Sequence, residues 1–308
     1  MLVRVRVKID LGYDGTRFHG WARQPGMATV QGTVEKALST ILRAPFRDPG
    51  SDGTSGNVHP SIGRLVVAGR TDAGVHAAHQ VCHLDVDDFL LQRLDGHGDV
   101  EWDDAMTRRL NHLLPGDIRI RSVSEAPAGF DARFSALDRV YVYRLVDGDG
   151  VVDPRLRGFV SSCRRRLDLD AMNEAARSMI GLHDFGSFAI PNPHGTTIRN
   201  VLEASWRRIG RSPDGFMGDS VTDLVEFTIR ADAFAHNMVR SLVGAEITVG
   251  SGVRDPQWLA SKIAVPLREG FTGPAPARGL TLEHVEYPDD SALAVRAEAI
   301  KALRTLDD

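Results

Sequence analysis

"VVAGRTDAGVHAAHQV" runs from Val66 to Val81. Val66 and Val67 read as a buried strand, glycines follow at 69 and 74, and Arg70, Thr71 and Asp72 stand between them. A carboxylate two residues from a cation on a glycine-flanked segment has two readings. Such an Asp can serve a turn by accepting from nearby N–H groups. It can also be a carboxylate kept ionised by the neighbouring cation and usable as a nucleophile, on backbone that another molecule can approach closely. His76 and His79 are spaced i, i+3. They read as structural histidines or as part of a metal pair, and no partner motif supports the metal.

To either side the pattern alternates between strand and helix. Val3, Val5, Val7 and Ile9 alternate with charged residues at the N-terminus, which predicts a half-buried strand rather than a signal peptide. "GYDGTRFHGW" is turn-rich. Val30, Val34, Ala37, Leu38, Ile41 and Leu42 recur with helical spacing, and residues 46–61 are rich in Gly, Ser, Asp and Pro and read as a surface insertion. Met106, Leu110, Leu113 and Leu114 mark a second helix stopped by Pro115 and Gly116, and "DIRIRSV" follows as a strand. "RVYVYRLV" (Arg139 to Val146) is a strand with Tyr141, Tyr143 and Leu145 on one face. Asp168 to Leu182 reads as a helix with Met172, Ala176, Met179 and Ile180 inward. Strands are expected near Thr197–Ile209 and Thr222–Ala231, a helix over His236–Val249, a strand at "GLTLEHVEY", and a terminal helix over Ser291–Leu306. Strands of alternating polarity interspersed with helices predict an α+β fold with mostly antiparallel sheets. The weakest point of the pattern lies at Ser124–Phe130, which sets expected domains at residues 1–126 and 127–308.

The chain has 308 residues, a length that fits about two domains. No apolar run approaches the roughly 20 residues of a membrane helix. Two cysteines, Cys82 and Cys163, are too few for a disulfide framework, so the cytoplasm is the expected compartment. Net charge is −4, yet only four of the 37 basic residues are Lys. Arg offers planar, bidentate donors suited to phosphate and base edges, and a GC-rich genome would give the same bias. Arg133, Arg139 and Arg144 lie close together, Arg164 to Arg166 form a run, and Arg207 and Arg208 form a pair. There is no phosphate-binding Gly-rich loop, no HExxH and no GxSxG, which removes support from nucleotide-cofactor, zinc-hydrolase and serine-hydrolase readings. "FDARFSALDRVYVYRL" interleaves Arg with Phe and Tyr, either as an ordinary strand or as a platform on which bases stack. Arg240 stands on an apolar stretch, so it either snorkels to solvent or pairs with a carboxylate. Glu246, six residues on, cannot share its helix face, so that partner would be remote in sequence.

In order along the chain, "VAGRTDAGVHA", "LNHLLPGDIRI", "FDARFSALDRVYVYRL", "HDFGSF", "TIRNV" and "AHNMVRSLVG" resemble the tRNA pseudouridine synthase A family over nearly the whole length. The resemblance implies two α+β domains whose sheets meet at a central, positively charged catalytic cleft. It implies a homodimer with no cofactor and no metal, and a tRNA partner whose anticodon-arm uridines thirty-eight to forty become pseudouridine. Residue by residue it implies Asp72 as the catalytic carboxylate and Arg70 as a tRNA contact. It further implies Tyr141 stacked on the target uracil, Arg240 as the basic partner of Asp72, and Leu280 lining the uracil pocket. Ala22, Val140, Asn237 and Arg278 depart from the family pattern, which bears on tRNA contacts rather than on the chemistry. A non-catalytic RNA-binding protein would not need the Asp72–Tyr141–Arg240 set. A carboxylate hydrolase would need a second poised carboxylate that no motif supplies. A synthase acting elsewhere on an RNA stays open, because phosphate contacts carry no base identity.

Overall fold

The alternation at the N-terminus does produce a long strand, and it founds the first of two compact units. The computed structural model describes residues 3–46, 62–94, 100–191, 195–209, 223–267, 273–300 and 306. The expected insertion at 46–61 therefore lies outside the described residues except for Phe46. The first unit comprises Met1–Ala73, Ala77–Ala136 and Tyr287–Lys301, and the second Gly74–His76, Leu137–Glu286 and Ala302–Asp308.

In chain order the first unit contains β1 (Arg4–Tyr13), α1 (Val30–Leu42), β2 (Val66–Val67), most of β3 (His76–Asp87), α2 (Asp88–Gln92), α3 (Trp102–Leu113) and β4 (Ile118–Glu125). β1 pairs antiparallel with β3 (Ile9 opposite Cys82) and with β4 (Ile9 opposite Val123). β2 pairs antiparallel with β3, Val67 facing Cys82. Val7, Ile9 and Leu11 alternate inward and are fully buried. Thr29 caps α1 by accepting from the Gly32 N–H at 3.3 Å. Leu110 and Met106 of α3 are buried as their spacing predicts, whereas Leu113 is 47 % exposed. The segment after β4 stays with this unit through polar ties. The Arg6 guanidinium donates to the Phe130 carbonyl at 2.7 Å, and the Ala132 N–H donates to Nδ1 of buried His83 at 3.0 Å.

The second unit contains β5 (Asp138–Asp147), β6 (Ser161–Cys163), α4 (Leu169–Arg177), β7 (Gly181–Asp184), β8 (Ile198–Ile209), β9 (Leu224–Ala231), α5 (Met238–Gly250), α6 (Pro256–Ala264) and β10 (Leu280–Glu286). Its strands run in the order β10, β5, β9, β8, β7, each pair antiparallel. One edge of β5 is shared, β10 covering Asp138 to Tyr143 and parallel β6 covering Leu145 to Asp147. Helix α4 lies on β8, and α5 and α6 pack on α4. The sequence extends α4 to Leu182, but the helix ends at Arg177. Gly181 takes a left-handed φ of 106°, and the next residues pair with β8 instead, leaving Ile180 47 % exposed. Helix α7 (Leu293–Ile300) then returns to the first unit with Leu293 and Ala297 buried, and the expected continuation through residues 301–305 lies outside the described residues. Both units are thus α+β with mostly antiparallel strands and flanking helices.

One buried group in this unit works against stability. Glu246, on α5, is 0 % exposed and neither carboxyl oxygen has a hydrogen-bond partner among the described residues. Burial pushes its pKa well above the ordinary carboxylate range, so it keeps a proton where an exposed Glu would lose it. A raised folded-state pKa contributes stability below the unfolded value of about 4.3, and that contribution is lost as pH rises towards and through the folded value. Glu246→Leu is therefore expected to stabilise the protein by about 1–3 kcal/mol. The gain over the wild type should be larger at pH 8 than at pH 5, as read by urea denaturation. A variant less stable than the wild type at both pH values would contradict this.

Candidate active site

Asp72 lies on the loop between β2 and β3, half-buried, between buried Thr71 and exposed Ala73. That loop is held by polar groups sealed inside the first unit. At the end of β1, the Tyr13 hydroxyl is 2.8 Å from the Thr71 hydroxyl. The Gln80 amide on β3 donates to the Gly69 carbonyl at 2.8 Å and to the Tyr13 hydroxyl at 3.3 Å. Burial pushes the Tyr13 phenol up to about 12, so it stays protonated and can serve as both donor and acceptor. From another direction the Trp21 N–H donates to the Thr71 carbonyl at 3.0 Å. Gly20 makes that approach feasible: its φ is +85°, and a Cβ there would stand 2.8 Å from the Thr71 oxygen. Arg70 is exposed and has no ion pair among the described residues.

The other three candidates lie in the second unit. Tyr141 and Tyr143 are two apart on β5 and share a face, and their antiparallel partners on β10 are Leu282 and Leu280. Register alone therefore places Leu280 on the face that carries Tyr141. The Tyr141 ring meets Phe234 edge-on at 5.1 Å, and Leu280 is 4 % exposed. Arg240 occupies the first turn of α5 and is tied to the segment before β10. Its Nε donates to the Ala275 carbonyl at 2.8 Å, and the Ala275 N–H donates to the Arg240 carbonyl at 2.9 Å. The structure thus brings Tyr141, Leu280 and Arg240 into one unit, and sets Arg70 and Asp72 on a loop of the other.

Sequence reasoning passes over Tyr13, Thr71, Gln80 and Tyr143. Tyr143 is fully buried, its hydroxyl donates to the Pro276 carbonyl at 3.0 Å, and burial pushes its phenol up to about 12 against the pull of a hydrogen bond with Ser161 and of nearby Arg278 and Arg240. The two histidines near Asp72 both have partners within the protein. His76 is buried, bonds the Gly158 carbonyl at 2.8 Å and stacks on Phe159, and His79 bonds Asp10 at 3.1 Å. Among the described residues no group of three or more His, Cys, Asp or Glu could hold a metal, and no helix is long and apolar enough to cross a membrane.

The sequence model of the family described as "tRNA pseudouridine synthase" matches residues 175–288. The tRNA pseudouridine synthase A of Bifidobacterium longum (strain DJO10A) is 55% identical, over 98% of this chain and 99% of its own. That of Streptomyces avermitilis (strain MA-4680) is 45% identical, over 98% and 95%. The chain belongs to the tRNA pseudouridine synthase A family. Among solved structures, the archaeal box H/ACA sRNP Nop10-Cbf5 complex aligns over 97% of this synthase and 52% of its own chain. At 9% identity and a TM-score of 0.31, that likeness is too loose to bear on the fold. The synthase is an isomerase, and its reaction moves a bond within one nucleotide rather than transferring a group to a second substrate.

The loop ties give a test that does not depend on the reaction. Gly20→Ala should cost about 1–3 kcal/mol, because it forces a left-handed φ on a residue with a Cβ and drives that Cβ into the Thr71 carbonyl. The same variant should speed amide exchange at Trp21, the donor to that carbonyl. Unchanged stability with full Trp21 protection would show that the carbonyl has room to move.

Proposed function

We propose that this synthase acts on uridines thirty-eight to forty of the tRNA anticodon arm, with Asp72 as the catalytic carboxylate. The observation that carries the reading is the fixing of Thr71. The Tyr13 hydroxyl and the Trp21 N–H both engage it, and Gln80 holds Gly69 two residues earlier. A carboxylate directly after so constrained a residue is presented at a fixed point, as a reacting group requires.

The reaction breaks the C1′–N1 bond and forms C1′–C5, so the uracil must leave the base stack and turn without escaping. N1 gains a proton and C5 loses one, and no oxidant, reductant or second substrate enters the balance. Asp72 attacks the base, attacks the sugar or removes the 2′ proton, and each route begins from the carboxylate. Tyr141 stacks on the turning base, its ring braced by Phe234, while Leu280 supplies an apolar wall that keeps water out. Arg240 is the basic partner of Asp72. A guanidinium in the first turn of a helix sits against the positive end of the helix dipole, a placement that a carboxylate partner compensates. Exposed Arg70 engages the tRNA near the target base. The synthase works as a cytoplasmic homodimer on one tRNA and needs no cofactor.

The test is to incubate the protein with unmodified tRNA transcripts and map pseudouridine by position. The wild type should form it in the anticodon arm. Asp72→Asn should lose about 10⁴-fold in rate or more while tRNA affinity stays within a few-fold. Substantial product from Asp72→Asn, or product only outside the anticodon arm, would overturn the reading.

A further inference from the structure

Arg240 does not stand alone. Its Nε is used by the Ala275 carbonyl and its own carbonyl by the Ala275 N–H, so residue 275 grips it from both main-chain sides. The strap that carries Ala275, residues 273–279, is fitted tightly at both ends. A Cβ on Gly244 of α5 would stand 2.5 Å from the Gly273 carbonyl oxygen, and one on Gly279 would stand 2.7 Å from Cζ of Tyr143. Between these ends a side-chain hydrogen bond links the strap to the sheet, from the Tyr143 hydroxyl to the Pro276 carbonyl at 3.0 Å. Pro276 is the residue next to Ala275. The chain of contacts therefore runs from β5, through the phenol and the two successive carbonyls of Pro276 and Ala275, to the guanidinium on α5. With Nε committed to Ala275, Nη1 of Arg240 donates to the Asn237 side-chain oxygen at 3.4 Å.

We propose that Tyr143 is a positioning residue for the reaction: through Pro276 and Ala275 its hydroxyl fixes the direction in which the Arg240 guanidinium points. This rests on the reading of Arg240 as the basic partner of Asp72. Leu280 of β10 lies directly opposite Tyr143 of β5, so the same side chain that orients the cation also supports one wall of the uracil pocket. The ring alone fills the space, and Phe would fill it as well. The function assigned to Tyr143 belongs to its oxygen.

Tyr143→Phe isolates that oxygen. On saturating unmodified tRNA transcript, its single-turnover rate should fall about 10-fold while tRNA Kd stays within two-fold and the melting temperature within a few degrees. Arg240→Lys keeps the charge but loses the planar donor to Ala275. The double variant should therefore be little slower than Arg240→Lys by itself, because both changes free the same cation. A wild-type rate for Tyr143→Phe overturns the inference, as does a double variant whose losses multiply in full. Arg240→Gln separates the two layers. If Arg240→Gln keeps the wild-type rate, the assignment of Arg240 itself falls. If it is slow while Tyr143→Phe is not, only the role of Tyr143 falls.

Discussion

A phenol sealed from water must find a partner for its hydroxyl within the protein, and this chain meets that demand twice at functional backbone. In the first unit Tyr13 meets it at Thr71, beside Asp72. In the second Tyr143 meets it at Pro276, beside the residue that grips Arg240. Burial keeps both phenols protonated. An unpaired buried hydroxyl costs more than the modest net gain of a formed bond. The loops are therefore held chiefly by the cost of letting go. Each loop is tied by a backbone bond as well, from the Trp21 N–H to the Thr71 carbonyl and from the Ala275 N–H to the Arg240 carbonyl.

Charge in the second unit is arranged with the same economy. The arginine clusters visible in the sequence are in part neutralised at home. Arg144 lies between Glu226 and Glu283, Arg207 shares Glu226, and Arg166 and Arg208 converge on fully buried Asp147. Arg70, Arg164 and Arg278 are exposed and form no ion pair among the described residues. An Arg-rich composition thus overstates the cations available to a polyanion, and the net charge of −4 understates them. What matters for nucleic acid is which guanidinia have no carboxylate already in the fork.

The sequence makes the long elements legible because their side-chain period is local. β1, α1, β8 and α5 each carry enough apolar residues at one spacing to declare a buried face. Where the period is carried by few residues, other forces decide. Ile180 fits the stripe of α4, yet Gly181 turns the chain and β8 recruits Leu182 to Asp184 as its partners. Helix α6 carries too few apolar residues to declare itself by period, although Asp255 and Pro256 form an ordinary start signal for it. Asp72, Tyr141, Arg240 and Leu280 are legible only as members of recurring motifs. Tyr13, Gln80 and Tyr143 are not, since the groups that satisfy them lie far away in the chain: 58 residues separate Tyr13 from Thr71, and 133 separate Tyr143 from Pro276. Hydrogen bonds of that span leave no spacing to read.

Helix α7 closes over a part of the first unit made much earlier. The Ser135 hydroxyl donates to the Leu293 carbonyl, Tyr287 donates to the Ala132 carbonyl and packs tilted against Phe130, and a Cβ on Gly129 would strike Ala294. Every residue of the second unit's sheet lies between those two halves of the contact. During synthesis, when domains generally fold from the N-terminus onwards, this first unit must wait. Its Phe130 shelf stays uncovered until the ribosome has delivered β10 and the turn after it. The nascent chain therefore holds an unfinished apolar surface from Phe130 until α7 emerges, and the last helix among the described residues is the one that seals the first unit begun.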